Sequence, residues 1–265
     1  MNTVSPPPIL QADNVSIVFG GLRAVSGFSC TLHRGELAGL IGPNGAGKTT
    51  IFNMLSGIYV PSGGAITFYR QNGRAVSIGR QSPARLARAG IARTFQNIRL
   101  FGNLSALDNV RISLHASRKT TALETVLRLP RFHHDEERQR REAERLLDLF
   151  TISAKKDEAA KNLPYGEQRK LEIARALACR PELLLLDEPA AGMNPQETME
   201  LMELITHIRR EFNLTVLLIE HDMHLVMGIC ERLMVLDYGA LIAEGPPDEI
   251  RKNPAVIKAY LGSEA

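Results

Sequence analysis

The sequence has no tryptophan, few aromatic residues (5%) and only three cysteines in 265 positions. Cys30, Cys179 and Cys230 stand far apart among apolar neighbours. That spacing excludes a disulfide framework and the paired cysteines of zinc or redox motifs, and it fits small core residues in a reducing compartment. Long apolar runs are also missing. None approaches the ~18 residues that a bilayer span needs, because stretches such as 183–186 and 214–219 are soon closed by charge. Any membrane role is therefore expected to come through a partner. Residues 1–8 lack the basic start and apolar centre of a secretion signal, so a short flexible lead and a chain that stays in the cytoplasm are expected. Charge of one sign is scarce too. With 32 basic against 29 acidic side chains the net charge is +3, which gives no electrostatic case for nucleic acid as a partner.

What is present is 44% apolar content, enough for one α/β domain with a subdomain. The informative stretch is Gly42-Pro43-Asn44-Gly45-Ala46-Gly47-Lys48-Thr49-Thr50. It follows an apolar run at 37–41 and precedes another at 51–55, so it reads as strand, glycine loop, helix. Glycines let backbone N–H groups close around an anion at the helix N-terminus. Lys48 adds a mobile positive charge, and the Thr49 hydroxyl a hard oxygen for Mg²⁺. A nucleoside triphosphate fits this loop.

Upstream, residues 9–19 and 25–32 read as antiparallel strands about a Gly20-Gly21 turn. Phe19, at the end of the first, suits either the core or a stacking contact with a flat base. Downstream come a short strand at 65–68, a helix at 84–89 capped by Ser82-Pro83 and closed by Gly90, and a strand at 91–95 that delivers Gln96. That glutamine alone is equally a solvated loop amide. A helical subdomain follows, approximately 104–180. It holds a helix at 106–116, a basic connector at 118–131 and a helix at 135–150 with Ala143, Leu146, Leu147 and Phe150 on one face. Glu136 and Glu137 stand four residues before Arg140 and Arg141, so this charge run reads as a solvated face.

The run 183–186 is wholly apolar, hence a central parallel strand, and ends in Asp187-Glu188. At a strand tip beside a phosphate loop, Asp187 suits a Mg²⁺ carboxylate and Glu188 a base for water attacking a γ-phosphate. Asn194-Pro195-Gln196-Glu197 has the cap, proline and acid of a helix start. A further buried strand at 214–219 ends at His221. Tips of parallel strands share one edge, so this imidazole stands within reach of the same phosphate, although a histidine there also serves as a structural residue. A hairpin about Tyr238-Gly239 and a C-terminal helix starting at Pro246 close the chain.

With these segments in order, and Asn162-Leu163-Pro164-Tyr165-Gly166-Glu167-Gln168-Arg169 ahead of a helix, the chain resembles the ATP-binding subunits of ABC transporters from about residue 9 to 262. The resemblance implies one ABC domain over 1–265, a P-loop core with a mostly parallel sheet, an N-terminal antiparallel β subdomain and an inserted helical subdomain. It further implies Phe19 against adenine, residues 42–50 as Walker A with Lys48 catalytic, and Gln96 as the Q-loop residue, near both metal and reaction. Asp187 becomes Walker B, Glu188 the catalytic base and His221 the switch histidine. Tyr165, Gly166 and Glu167 become the nucleotide-facing part of the signature segment. ATP and Mg²⁺ are the implied cofactors. Residues 92–102, 113–141, Tyr165-Gly166, 171–175, 242–245 and 259–262 look most like the branched-chain amino-acid importer group. That implies a dimer with an identical or second ABC ATPase, two transmembrane permease subunits, a substrate-binding protein beyond them, and a place on the cytoplasmic face of the inner membrane. Other readings in the same superfamily are lipopolysaccharide export, and a soluble mechanical ATPase or nucleotide switch. Two departures stand out: Pro164-Tyr165 replaces the usual Ser-Gly, and Asn194 the usual Asp.

Overall fold

The computed structural model describes residues 7–115 and 130–261. Three short strands, β3 (Leu37–Ile41), β7 (Leu183–Asp187) and β8 (Thr215–Ile219), are buried at every position. Only the middle of a sheet covered on both faces accepts such segments. They lie in a six-stranded sheet ordered β10-β9-β3-β8-β7-β6, where β6 is Ile91–Arg93, β9 Arg232–Asp237 and β10 Ala240–Gly245. All neighbours run parallel except β10, which pairs antiparallel with β9. Alternation along the strands divides the core. Leu184, Leu186, Val216 and Leu218 face one apolar layer, and Leu183, Leu185, Leu217 and Ile219 the other. The second layer is closed by α1 (Lys48–Leu55) and a four-stranded antiparallel sheet, β2-β1-β4-β5. Here β1 (Pro8–Phe19) and β2 (Leu22–His33) meet at the expected Gly20-Gly21 turn, and β4 is Gly63–Tyr69.

The first layer is closed by helices. Helices α3 (Ala106–His115), α4 (Pro130–Leu149) and α5 (Tyr165–Ala178) pack on one another, and α6 (Pro195–Glu211) covers the sheet. Ala143, Leu146, Leu147 and Phe150 are buried as a single stripe. Of the two expected charge pairs on α4, Glu137–Arg141 forms at 3.0 Å. Glu136 instead crosses to Arg111 on α3, a partner the helix period does not foresee, and Arg140 pairs with Glu144, the next residue at i,i+4 spacing on α4 itself. Helix α4 begins at Pro130, earlier than expected, with its proline in the first turn. Most of the basic connector, residues 116–129, lies outside the described residues.

Three further details differ from expectation. The strand at 91–95 ends at Arg93. A short edge strand, β5 (Ala75–Ser77), is added beside β4. The C-terminal helix is two helices, α7 (Pro247–Ile250) and α8 (Pro254–Leu261), since proline disfavours helix in the residue before it. Between α2 (Pro83–Ala89) and its strand, Gly90 supplies the expected left-handed stop. Cys30 and Cys230 are core residues as expected, and Cys179 is half-buried.

Candidate functional site

The glycine loop joins β3 to the first turn of α1. Two of its glycines are dictated by contact. A Cβ at Gly42 would stand 2.2 Å from the Leu236 carbonyl oxygen, and one at Gly47, where φ is +99°, 2.9 Å from that of Ala24. The turn after β9 braces the loop: Gly239 donates its N–H to Ala46 O (3.0 Å) and accepts from Ser26 N–H (2.8 Å). Within the loop, Ala46 N–H bonds Pro43 O at 3.2 Å, while Asn44, Gly45 and Thr49 remain exposed and Thr50 is partly covered.

Lys48 is 8% exposed and folds its Nζ back onto the carbonyls of Gly42 (2.6 Å) and Pro43 (2.9 Å). Burial pulls its pKa down, against the opposing pull of Glu188 and Asp187. The cation is thus held over the loop by weak carbonyl acceptors, with two carboxylates near enough to be felt.

The topology assembles those carboxylates. β8 lies between β3 and β7, so the loop after β3, His221 after β8 and Asp187-Glu188 at the end of β7 leave the sheet on one edge. Glu188 takes a left-handed backbone, φ +46°, with its N–H on Ile219 O. Its carboxylate accepts from Gln96 Nε2 at 2.9 Å, so the segment after β6 meets the tip of β7 directly. Asp187 is buried and paired with Arg93 at 2.8 Å. His221 is exposed, and its Nδ1 stands 3.7 Å from the Glu220 carboxylate.

Around the loop is a cavity of about 440 Å³, lined by residues 22–24, 44–50, Glu188 and Tyr238. The aromatic among those lining residues is Tyr238, which is 91% exposed. Phe19 stands opposite Leu22 in the β1–β2 ladder, with its ring edge-on to Tyr59 at 5.1 Å between centroids. No described residue of 163–169 lines this cavity. At the start of α5, Tyr165 lies against Gly192 and Gly166 against Glu197 and Met193, while Glu167 is held by Lys155 at 2.7 Å. The structure therefore brings together the loop, Gln96 and Glu188, and keeps Tyr165, Gly166 and Glu167 outside that cavity.

Two polar clusters at this edge escaped the sequence reading. Arg169 is fully buried and donates to the carbonyls of Phe95 and Gln96 (2.7 Å each) and to Glu172 (2.8 Å). Glu220, also buried, accepts from Ala190 N–H at 2.9 Å. An arginine three residues before a glutamate on an apolar helix face was the available signal for the first. The second had none beyond its place at a strand end.

Among the described residues there is no group of three His, Cys, Asp or Glu that could hold a metal alone. Mg²⁺ takes only one or two protein oxygens and completes its octahedron with phosphates and water. At this sheet edge the exposed Thr49 and the buried Asp187 carboxylate offer hard oxygens of the kind such an ion takes.

Fold and loop together define a P-loop nucleotide-binding protein. The sequence matches the ABC transporter family model over residues 25–191 and the branched-chain amino acid ATP-binding cassette transporter model over 240–265. It is 46% identical over 255 residues to the high-affinity branched-chain amino acid transport ATP-binding protein LivG of Salmonella typhimurium, covering 96% of this chain and 98% of LivG. With the lipopolysaccharide export system ATP-binding protein LptB of Escherichia coli the identity is 35% over the same shares. The fold is similar to the ADP conformation of MJ1267, an ATP-binding cassette of an ABC transporter, with a TM-score of 0.80, 27% identity and coverage of 97% and 100%. The chain belongs to the ABC transporter family, as an ATP-hydrolysing cassette of the branched-chain amino-acid group.

Proposed function

We propose that this cassette hydrolyses Mg²⁺-ATP to drive import of branched-chain or related amino acids, paired with a second cassette and docked on two permease subunits at the cytoplasmic face of the membrane. The observation that carries the reading is the meeting of Gln96 and Glu188, 2.9 Å apart, beside the glycine loop. Residues 42–50 bind the phosphates, with Lys48 leaving its carbonyl acceptors for a β- or γ-oxygen. Thr49, Asp187 and Gln96 hold Mg²⁺, which when bound supplies charge stabilisation to the transferring phosphoryl group. Glu188 orients and deprotonates the attacking water, and His221 senses the γ-phosphate. Phe19 offers its exposed ring to adenine. Tyr165, Gly166 and Glu167 complete the nucleotide site of the opposite copy, where Gly166 N–H and the positive end of α5 stand in for the missing serine hydroxyl.

Permease docking is assigned to a second cavity, about 360 Å³, between the α2–β6 segment and α5. Phe95, Phe101 and Arg175 line it beside Ile58 and Leu86, and Phe101 is half exposed. The main competing reading, lipopolysaccharide export, is less favoured by the lower identity to LptB and by the match over residues 240–265. Glu188→Gln tests the chemistry. It should keep ATP binding, lower turnover by about 100-fold or more, as expected on removing a general base, and accumulate as a nucleotide-bound dimer. Turnover equal to wild type would reject the base assignment.

A further inference from the structure

Arg93 is the last residue of β6, next to the strand that carries Asp187, and its side chain is 5% exposed. Its guanidinium has five neighbours. Nη2 donates to Asp187 Oδ2 at 2.8 Å, and Nη1 to both Asn53 Oδ1 and Ser56 Oγ at 2.8 Å. The rings of Phe52 and Phe95 flank it, with Cζ 5.5 and 4.9 Å from their centroids. Ser56 is itself fixed, since its hydroxyl donates to Phe52 O at 2.7 Å.

A buried ion pair is a poor source of stability, because desolvation offsets the attraction. The geometry of this one is informative for another reason. Thr49 and Asn53 ride on α1 and Ser56 is its C-cap, whereas Asp187 ends β7. Arg93 bonds both elements, so it fixes the separation between the Thr49 hydroxyl and the Asp187 carboxylate. Arg93 also holds the Asp187 carboxylate through Oδ2 alone. A carboxylate held by one oxygen presents the other in a fixed direction.

We infer that Arg93 is a positioning residue that holds Asp187 in register with Thr49 for the Mg²⁺ of the bound nucleotide. The inference rests on reading this site as one for Mg²⁺-ATP. Arg93 also lines the cavity assigned to permease docking, together with Ser56 and Phe95. An occupant of that cavity would touch the guanidinium that orients the metal carboxylate.

The test measures Mn²⁺ binding by electron paramagnetic resonance in the presence of ATP, and ATP binding alone in excess EDTA. Arg93→Met keeps the apolar stem between the two rings but releases Asp187. It should weaken Mn²⁺ binding about tenfold, the low end for loss of a group that orients a ligand, with metal-free ATP affinity held within about twofold. Arg93→Lys, which reaches Asp187 without spanning to α1, should recover part of the loss. The Asn53→Ala/Ser56→Ala pair keeps the buried charges paired and carries the test if Arg93→Met fails to fold; it should shift Mn²⁺ binding in the same direction by a smaller factor. Unchanged Mn²⁺ affinity in both the arginine and the α1 variants, or parallel loss of Mn²⁺ and metal-free ATP binding, overturns the inference. Absence of ATP-dependent Mn²⁺ binding in the wild-type protein overturns instead the reading of the site on which it rests.

Discussion

Glu220 illustrates what a single residue at the active edge contributes. Its carboxylate is 1% exposed and accepts the N–H of Ala190, just after the Asp187-Glu188 tip. Burial pushes its pKa up, and the Ala190 hydrogen bond and nearby His221 only partly oppose that. The folded chain therefore holds this proton more tightly than the unfolded chain, whose glutamate titrates near 4.3. Stability associated with the group is present at low pH and is lost as pH rises from the unfolded value through the raised folded one. Glu220→Gln keeps an acceptor for Ala190 and removes the buried charge. It should raise the denaturation midpoint above that of wild type at pH 8 and flatten the fall in stability across that window; an unchanged pH profile would exclude Glu220 as its source. The sequence marks Lys48, Thr49, Asp187 and Glu188 by type and spacing, because a phosphate loop and a strand-tip carboxylate are local patterns. It does not mark Arg93 or Glu220, whose partners Asp187 and Ala190 lie 94 and 30 residues away, and it marks Arg169 only through Glu172, not through Gln96, 73 residues away. Those partners exist only once strands β6, β7 and β8 are side by side.

At the scale of elements, legibility followed burial and capping. β3, β7 and β8 are readable because a segment covered on both faces must be apolar throughout. β5 is not readable: three residues at a sheet edge, none of them fully buried, carry no alternation to detect. Helix α6 is readable from its first turn. Asn194 Oδ1 accepts Glu197 N–H at 2.9 Å, and Glu197 Oε2 accepts Asn194 N–H at 3.0 Å, which together make a complete capping box with Pro195 behind the cap. Asn194 replaces the usual family aspartate without loss of the cap, since either side chain offers the accepting oxygen. Asn194→Ala should therefore destabilise the fold by about 1 kcal/mol, lowering Tm by roughly 2–4 °C for a chain of this size. Asn194→Asp should leave Tm nearly unchanged. Equal melting of the alanine variant and wild type would mean that this cap is energetically idle.

At the scale of the whole molecule, the decisive fact is which residues the cavity around the glycine loop lacks. The loop, Glu188 and Tyr238 line it, whereas Tyr165 and Gly166 pack near Gly192, Met193 and Glu197. If each nucleotide is enclosed by the loop of one copy and the α5 N-terminus of the other, defects in the two halves should complement. Lys48→Ala removes the phosphate cation. Gly166→Asp puts a negative charge where the partner's γ-phosphate would sit, and retention of ATP binding by that variant shows its own loop intact. Each variant alone forms only dead pairs. In an equal mixture, half of the pairs are mixed, and in each of these one of the two sites joins an intact loop to an intact α5. With independent sites the mixture should recover up to about a quarter of wild-type ATPase, because a two-fold assembly presents both interfaces in every pair. Addition of the two residual rates with no such recovery, across protein concentrations at which the wild type pairs, would show that one chain carries the whole reaction site.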